Sequence, residues 1–257
     1  MKSRVAVAAI TLLAIITAFA ALPQSIPFPG PGMPAGVAIV VTDQGTASGQ
    51  VANPTLVSIT TAANISSGSL IAVCVEDLNI GNVAIGTVSD SQNGSTYTTA
   101  ITGKVSGGNR VGGIFYKFNS AALTGGVDTI SYGTNDSNAN TIRVSAFSAT
   151  GILSASDPGQ AAVAANGNSA APSVTSGSPT ATGELFAGCV INAGNSQSYT
   201  QDSTNAAWAA PFTPSTSTNP NLFGGSVVNA GSGALIYAPT LSIARAWAAY
   251  IVAFKHP

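Results

Sequence analysis

Two glutamates, Glu76 and Glu184, and seven aspartates carry nearly all the acid–base chemistry this sequence can offer, because it has one histidine and two cysteines. Glycoside hydrolysis needs only two carboxylates, about 5–10 Å apart. Glu76 and Glu184 form that pair on paper. Each borders an apolar run, LIAVCVE and ELFAGCVIN, where ending a strand is the plainer role. A Ser–His–acid triad needs an imidazole beside the nucleophile. His256 stands next to the last residue, and neither G-x-S-x-G nor S-x-x-K occurs. The sequence therefore points away from catalysis.

Metal chemistry is equally thin. Zinc takes about four Cys, His or acidic ligands, and one histidine with two cysteines does not assemble them. Asp136, Asn138 and Asn140 match the opening of a calcium loop. Such a loop then needs Gly at its sixth place and Glu at its twelfth, where this chain has Thr141 and Phe147. A different oxygen-rich calcium site, built from Glu76, Asp77 and loop carbonyls, is the cation site left open.

For ligand binding the candidates are Trp208, Tyr199 and Asp202. An exposed ring can stack on a sugar face while polar neighbours fix its orientation. Trp208 is flanked by alanines rather than by a regular strand. It either stands exposed as a stacking platform or plugs the end of the fold. Trp247, inside ARAWAAYIVAFK, reads as core. Cys74 and Cys189 both lie in apolar runs. They are either two buried small hydrophobes or a disulfide, which an exported chain permits.

The elements that would position these residues are strands. From 37 onward the chain reads VAIVVT (37–42), PTLVSITT (54–61), SLIAVCVE (69–76), RVGGIFYKFN (110–119), VDTISYG (127–133), TIRVSAFSA (141–149), ELFAGCVIN (184–192), ALIYAP (234–239) and IARAWAAYIVAFK (243–255). Gly, Asn, Ser and Pro clusters separate these short β-branched runs, the pattern of a sandwich or barrel. Residues 161–173 read as a weak strand and a loop. In the last run Trp247, Ala249, Ile251 and Ala253 share one face, and Ala248, Tyr250, Val252 and Phe254 share the other. Both faces are apolar, so that strand is central. In TIRVSAFSA, Ile142, Val144, Ala146 and Phe147 predict burial on both sides or a bulge near Phe147. Between Val88 and Tyr97, Asn93-Gly94 predicts a hairpin turn, capped by Asp90 and Ser91; the alternative is that Asp90, Ser91, Gln92 and Asn93 are ligands for a metal or a sugar.

The fold class expected is all-β, an antiparallel sandwich over 37–257. Ahead of it, MKSR followed by an apolar run over 5–22 and Ala18-Phe19-Ala20 has the layout of a secretory signal over 1–20. The rival is an uncleaved anchor, the one route by which this chain would meet a membrane. Residues 21–36 hold five prolines and three glycines and read as an extended spacer. Cleavage would remove Lys2 and Arg4 and take the net charge from −1 to −3. Charged residues are only 7% of the chain, against roughly 25% in an average domain. With no basic cluster, phosphate-driven nucleic-acid binding is set aside.

In one order, GSLIAVCVE, VSDSQNGSTYT, IFYKFNSA, VDTISYG, IRVSAFSATGI, GELFAGCVIN and ARAWAAYIVAFK resemble extracellular jelly-roll-like β-sandwich modules of bacterial secreted and surface proteins and of phage-like proteins. The resemblance covers 37–255 and departs at 201–230. It implies a sandwich comparable in architecture to carbohydrate-binding modules, and it carries no functional residues. The expected role is a non-enzymatic secreted or cell-surface module for adhesion or glycan binding, with a glycan or surface polymer as partner. The alternative is a self-associating subunit of a filament, coat or virion, since few charges leave sheet edges unguarded. A carboxylate hydrolase is the third reading.

Overall fold

The structure is a computed structural model. It describes residues 38–256 apart from 79–83, 95–96, 119–120, 139, 154–161, 180–181, 195–197, 210–211, 213–220 and 230. The leader and spacer expected over 1–36 lie outside the described residues.

Among those residues every regular element is a strand. In chain order they are β1 (Val40–Val51), β2 (Leu56–Thr60), β3 (Leu70–Leu78), β4 (Thr87–Asp90), β5 (Thr98–Lys104), β6 (Arg110–Phe118), β7 (Thr129–Gly133) and β8 (Asn140–Thr150). Then follow β9 (Val163–Ser169), β10 (Val174–Thr175), β11 (Glu184–Ala193), β12 (Tyr199–Thr200), β13 (Leu222–Asn229), β14 (Ile236–Tyr237), β15 (Thr240–Leu241) and β16 (Arg245–Phe254). One large sheet has the order β1-β8-β3-β6-β5, and a second has β13-β11-β16-β9. A three-stranded sheet, β2-β7-β4, and two short ribbons, β10-β14 and β12-β15, complete the set. All pairings are antiparallel.

The two large sheets stack face to face, and each carries a further layer on its outer side. Successive side chains on a strand point to opposite faces. Thus Leu70, Ala72 and Cys74 of β3 join Leu185, Ala187 and Cys189 of β11 in the central core. Ile71, Val73 and Val75 turn the other way and pack under β2, β4 and β7 with Val57, Val88 and Tyr132. On the far side of the second sheet, Phe186, Val190, Ala249 and Ile251 are covered by Trp208, Tyr237 and Leu241. Burial on both faces explains why these strands read as near-continuous apolar runs. Each buried Leu, Ile or Phe contributes about 1.5–3 kcal/mol to holding the layers together.

The central place expected for the last strand is observed: β16 lies between β11 and β9. Trp247, Ala249, Ile251 and Ala253 enter the outer core, while Ala248, Tyr250, Val252 and Phe254 enter the central one. Strand β8 is buried on both sides. The bulge expected near Phe147 lies in the facing strand, between Asp43 and Gly45 of β1, across from Phe147 and Ala146. Gly45 adopts φ 104° there, the left-handed region where glycine alone is unstrained.

The hairpin expected between Val88 and Tyr97 is corrected. Tyr97 N–H does donate to Val88 O at 2.8 Å. Strand β4, however, pairs with β7, whereas β5 pairs with β6 in the large sheet. The turn is a corner that carries the chain from one layer to the next. A local Asn-Gly signal specifies a reversal but not which neighbour each arm will find. Strand β13 lies at the C-terminal end of 201–230, the Pro- and Asn-rich stretch that departs from the resembled pattern and in which the sequence reading placed no strand.

Candidate functional site

Four polar clusters hold the side chains singled out in the sequence. The first is Glu76, near the C-terminal end of β3 and opposite Arg143 of β8. Its carboxylate is buried. Arg110 donates to Oε1, and Arg143 donates to Oε2 at 2.9 Å. Two guanidinium groups therefore flank one carboxylate, and a metal ion at Glu76 would face two positive charges at contact range.

Asp77 follows on the same strand and so points to the opposite face. Its Oδ2 accepts from Tyr132 Oη at 2.8 Å and its Oδ1 from Asn140 Nδ2 at 3.0 Å. Burial pushes the Asp77 carboxyl up. Bonds from Tyr132, Thr134 and Asn140 pull it back, and nearby Asp136 adds to the rise, leaving it above the usual range. The calcium site imagined from Glu76 and Asp77 is thus not assembled, because the pleat sends the two carboxylates to different layers. Among the described residues no three His, Cys, Asp or Glu side chains converge as a metal-binding group. Asp136 caps its own polar turn, its Oδ1 accepting from Asn138 N–H at 2.9 Å and Asn138 Nδ2 at 2.8 Å.

The third cluster is the corner after β4. Asp90 Oδ1 accepts from Gln92 N–H at 3.1 Å, Asn93 N–H at 2.7 Å and Asn93 Nδ2 at 2.8 Å. Its Oδ2 faces Lys117 Nζ at 3.2 Å. Burial alone would raise this carboxyl, but the bonds from Asn93 and the ammonium of Lys117 outweigh it and hold Asp90 below the usual range. Asp90 caps the turn as expected. Ser91 instead donates to Asp128 Oδ1 at 2.8 Å, and Thr129 N–H donates back to its hydroxyl.

The fourth cluster contains Trp208, Tyr199 and Asp202. Trp208 is 6% exposed. Its ring lies 4.6 Å from that of Tyr237, and its Nε1–H donates to Ile236 O at 3.1 Å. It closes the outer core of the second large sheet and offers no stacking face to solvent. Asp202 is buried. Its Oδ1 accepts from Thr204 N–H and Asn205 N–H, and its Oδ2 from Asn205 Nδ2 and Ala238 N–H at 2.8 Å. Burial opposes ionisation of Asp202, and these four bonds reverse it, so its pKa is lowered. Tyr199 is half-buried and stacks on Phe223 with ring centres 4.3 Å apart. The three do lie on neighbouring segments, yet two of them serve the interior.

Cys74 and Cys189 form a disulfide with Cα atoms 6.2 Å apart, which joins the two large sheets through the central core. Glu184 is also buried, at the first position of β11. One shallow depression of about 200 Å³ is lined by Ser66, Ser67, Gly68, Ser69, Thr150 and Gly151, none of which titrates near neutral pH. Sequence reading missed the Arg110–Glu76–Arg143 cluster; its one signal was an arginine inside the apolar β8. It also missed Gln44, whose buried amide donates to Ser148 Oγ and whose Oε1 accepts from Ala63 N–H. No family model matches the sequence, and no curated protein is detectably similar to it.

Proposed function

We propose that the protein is a non-enzymatic, exported structural module, a building block of an extracellular layer, coat or filament that associates with copies of itself through sheet edges. The observation that carries this reading is the state of those edges. The inner strands of the large sheets are covered on both faces, while the edge strands β5 and β9 keep exposed residues. Edge strand β9 alternates between half-buried and exposed residues and contains no charged side chain. Soluble β-proteins guard such edges with charges, bulges or prolines. The Cys74–Cys189 disulfide supports export, since such bonds persist in oxidising compartments. The strand order β1-β8-β3-β6 beside β2-β7-β4 supports a jelly-roll reading of the N-terminal half.

Electron microscopy of the purified, disulfide-bonded chain tests the proposal, with an edge variant as its control. Ordered assemblies are expected for the wild type. Asn166→Lys places a charge on an exposed position of β9 and should abolish them. Ser48→Lys, on the exposed face of the bulged edge strand β1, should not. Adhesion to a glycan or surface polymer is the second reading, favoured by the half-buried Tyr199. Glycan-array binding lost in Tyr199→Ala, without assembly of the wild type, would move the function to that reading.

A further inference from the structure

We propose that the chain is an internal pseudo-dimer: two tandem copies of one eight-stranded sandwich, β1–β8 and β9–β16, joined face to face about a local two-fold axis on which the disulfide lies. The single domain expected over 37–257 would then be a pair of repeats, and the face of each repeat that carries its cysteine is an association surface whose partner is a second copy of the same fold.

The connectivity carries the argument. In the first half, the first strand pairs with the eighth, the eighth with the third and the third with the sixth, giving β1-β8-β3-β6. Counting again from β9, with the Ala209 segment that bridges β13 as the fifth element and β14 and β15 as one divided seventh, gives β9-β16-β11-β13 the same order, first-eighth-third-sixth. β5 extends the first sheet beyond β6. At the matching place in the second, Ala209 bridges Ser226 of β13. In the outer layer, β7 pairs with β2 on one side and β4 on the other. Its counterpart is divided in two, β14 pairing with β10 and β15 with β12. An eight-element order with matched partners in two sheets is not a local propensity, and one strand-order coincidence would not reproduce it throughout.

Residues repeat along with strands. The corner after β4 reads Asp90-Ser91-Gln92-Asn93, and the corner after β12 reads Asp202-Ser203-Thr204-Asn205. In both, the carboxylate accepts the N–H groups two and three residues on, together with the Asn side-chain amide. Each corner is followed by a buried aromatic, Tyr97 or Trp208, that enters the outer core of its own half. A Gly-Gly pair recurs in the equivalent strands, Gly112-Gly113 in β6 and Gly224-Gly225 in β13, displaced by two residues in register when Cys74 is matched to Cys189. Tyr132 of β7 and Tyr237 of β14 are each fully buried, and each donates its hydroxyl to a polar side chain, Asp77 and Gln201 respectively.

At its centre the interface between the halves is reciprocal, as a two-fold relation requires; to one side β5 lies against β16 and β9, and on the other Phe212, beyond Ala209, packs on Phe147 of β8. β6 lies against β11 and β13 against β3; β6 lies against β16 and β13 against β8; β3 meets β11. The Cys-bearing strands are equivalent members of the two sheets. A residue bonded to its own counterpart must lie at the axis, which is where the arrangement puts Cys74 and Cys189. For the self-associating role proposed above, one chain then supplies two related, diverged copies of every edge. β1 is guarded by Asp43 and its bulge, and β9 is not.

A crystal structure of the disulfide-bonded chain decides the matter. Superposing Val40–Thr150 on Val163–Phe254 should require a rotation of about 180°. Cys74 should then fall on Cys189, Asp90 on Asp202 and Tyr132 on Tyr237. A rotation far from two-fold, or those three pairs displaced onto non-equivalent strands, would overturn the proposal. Failure of the protein to assemble would leave this superposition untouched, so the two ideas fail separately.

Discussion

At the residue scale, every acid among the described residues except Asp43 is buried. Asp90 and Asp202 each have their pKa lowered by the bonds they receive, so each stabilises the folded state in its charged form. That stability is present above the unfolded aspartate value of about 3.9 and is lost as pH falls through the lower folded value. Asp77 has the opposite sign. Its raised pKa means that the folded protein takes up this proton first, so acidification from neutrality adds stability at that site. Asp202→Asn keeps one acceptor oxygen, so it cannot satisfy the Thr204 and Asn205 N–H groups at one position and the Ala238 N–H at the other. It should lower stability by about 1.5–3 kcal/mol at pH 7, with the deficit shrinking below about pH 4. Urea unfolding at pH 7 and pH 3 measures both values, and an equal loss at the two would contradict the charged-cap account. That Asp90 would cap its turn was legible from Asp-x-x-Asn-Gly. That Glu76 would lie between two arginines was not, because the arginines are 34 and 67 residues away and no local pattern links them.

At the element scale, close approach between layers depends on small residues. Gly188 sits in β11 under the ring of Tyr237, and a Cβ placed there would drive into that ring. Gly188→Ala should therefore cost about 1–3 kcal/mol, visible as a lower urea midpoint with unchanged slope. Full retention of the midpoint would mean that β14 lies further from the sheet than described. Strand existence was legible where apolar runs are long. ARAWAAYIVAFK declared a central strand because both of its faces are apolar, and β16 is central; TIRVSAFSA declared burial on both sides or a bulge, and β8 is buried on both sides. Pairing was less legible. The corner at Asn93-Gly94 looks like a hairpin in sequence, yet its arms enter different sheets, since β7 and β6 offer partners that the intervening turn does not encode. Two-residue strands such as β12 and β15 carry no periodicity and exist because neighbouring layers hold them.

At the scale of the whole molecule, the disulfide and the stacked sheets act together. The bridge closes a loop with a sequence separation of 115 residues, for which loop-closure entropy alone corresponds to about 4–5 kcal/mol. The Cys74→Ala/Cys189→Ala double variant should lose stability of that order in non-reducing urea unfolding. A loss under about 1 kcal/mol would mean that the central apolar core already fixes the two sheets without the bridge. The sequence named both cysteines but left their pairing open, since contact between residues so far apart follows from sheet stacking. The repeat was legible in one place only, where GSLIAVCV (68–75) and GELFAGCV (183–190) share Gly, Leu, Ala, Cys and Val at the same spacing; elsewhere the halves share strand order and a few buried contacts. What such a molecule does is expected at its edges, and the most direct measurement is sedimentation velocity of the disulfide-bonded chain over a wide concentration range, with Asn166→Lys alongside. The account predicts concentration-dependent growth into large species for the wild type and a persistent monomer for the variant. A wild-type chain that stays monomeric at the highest concentration would contradict it.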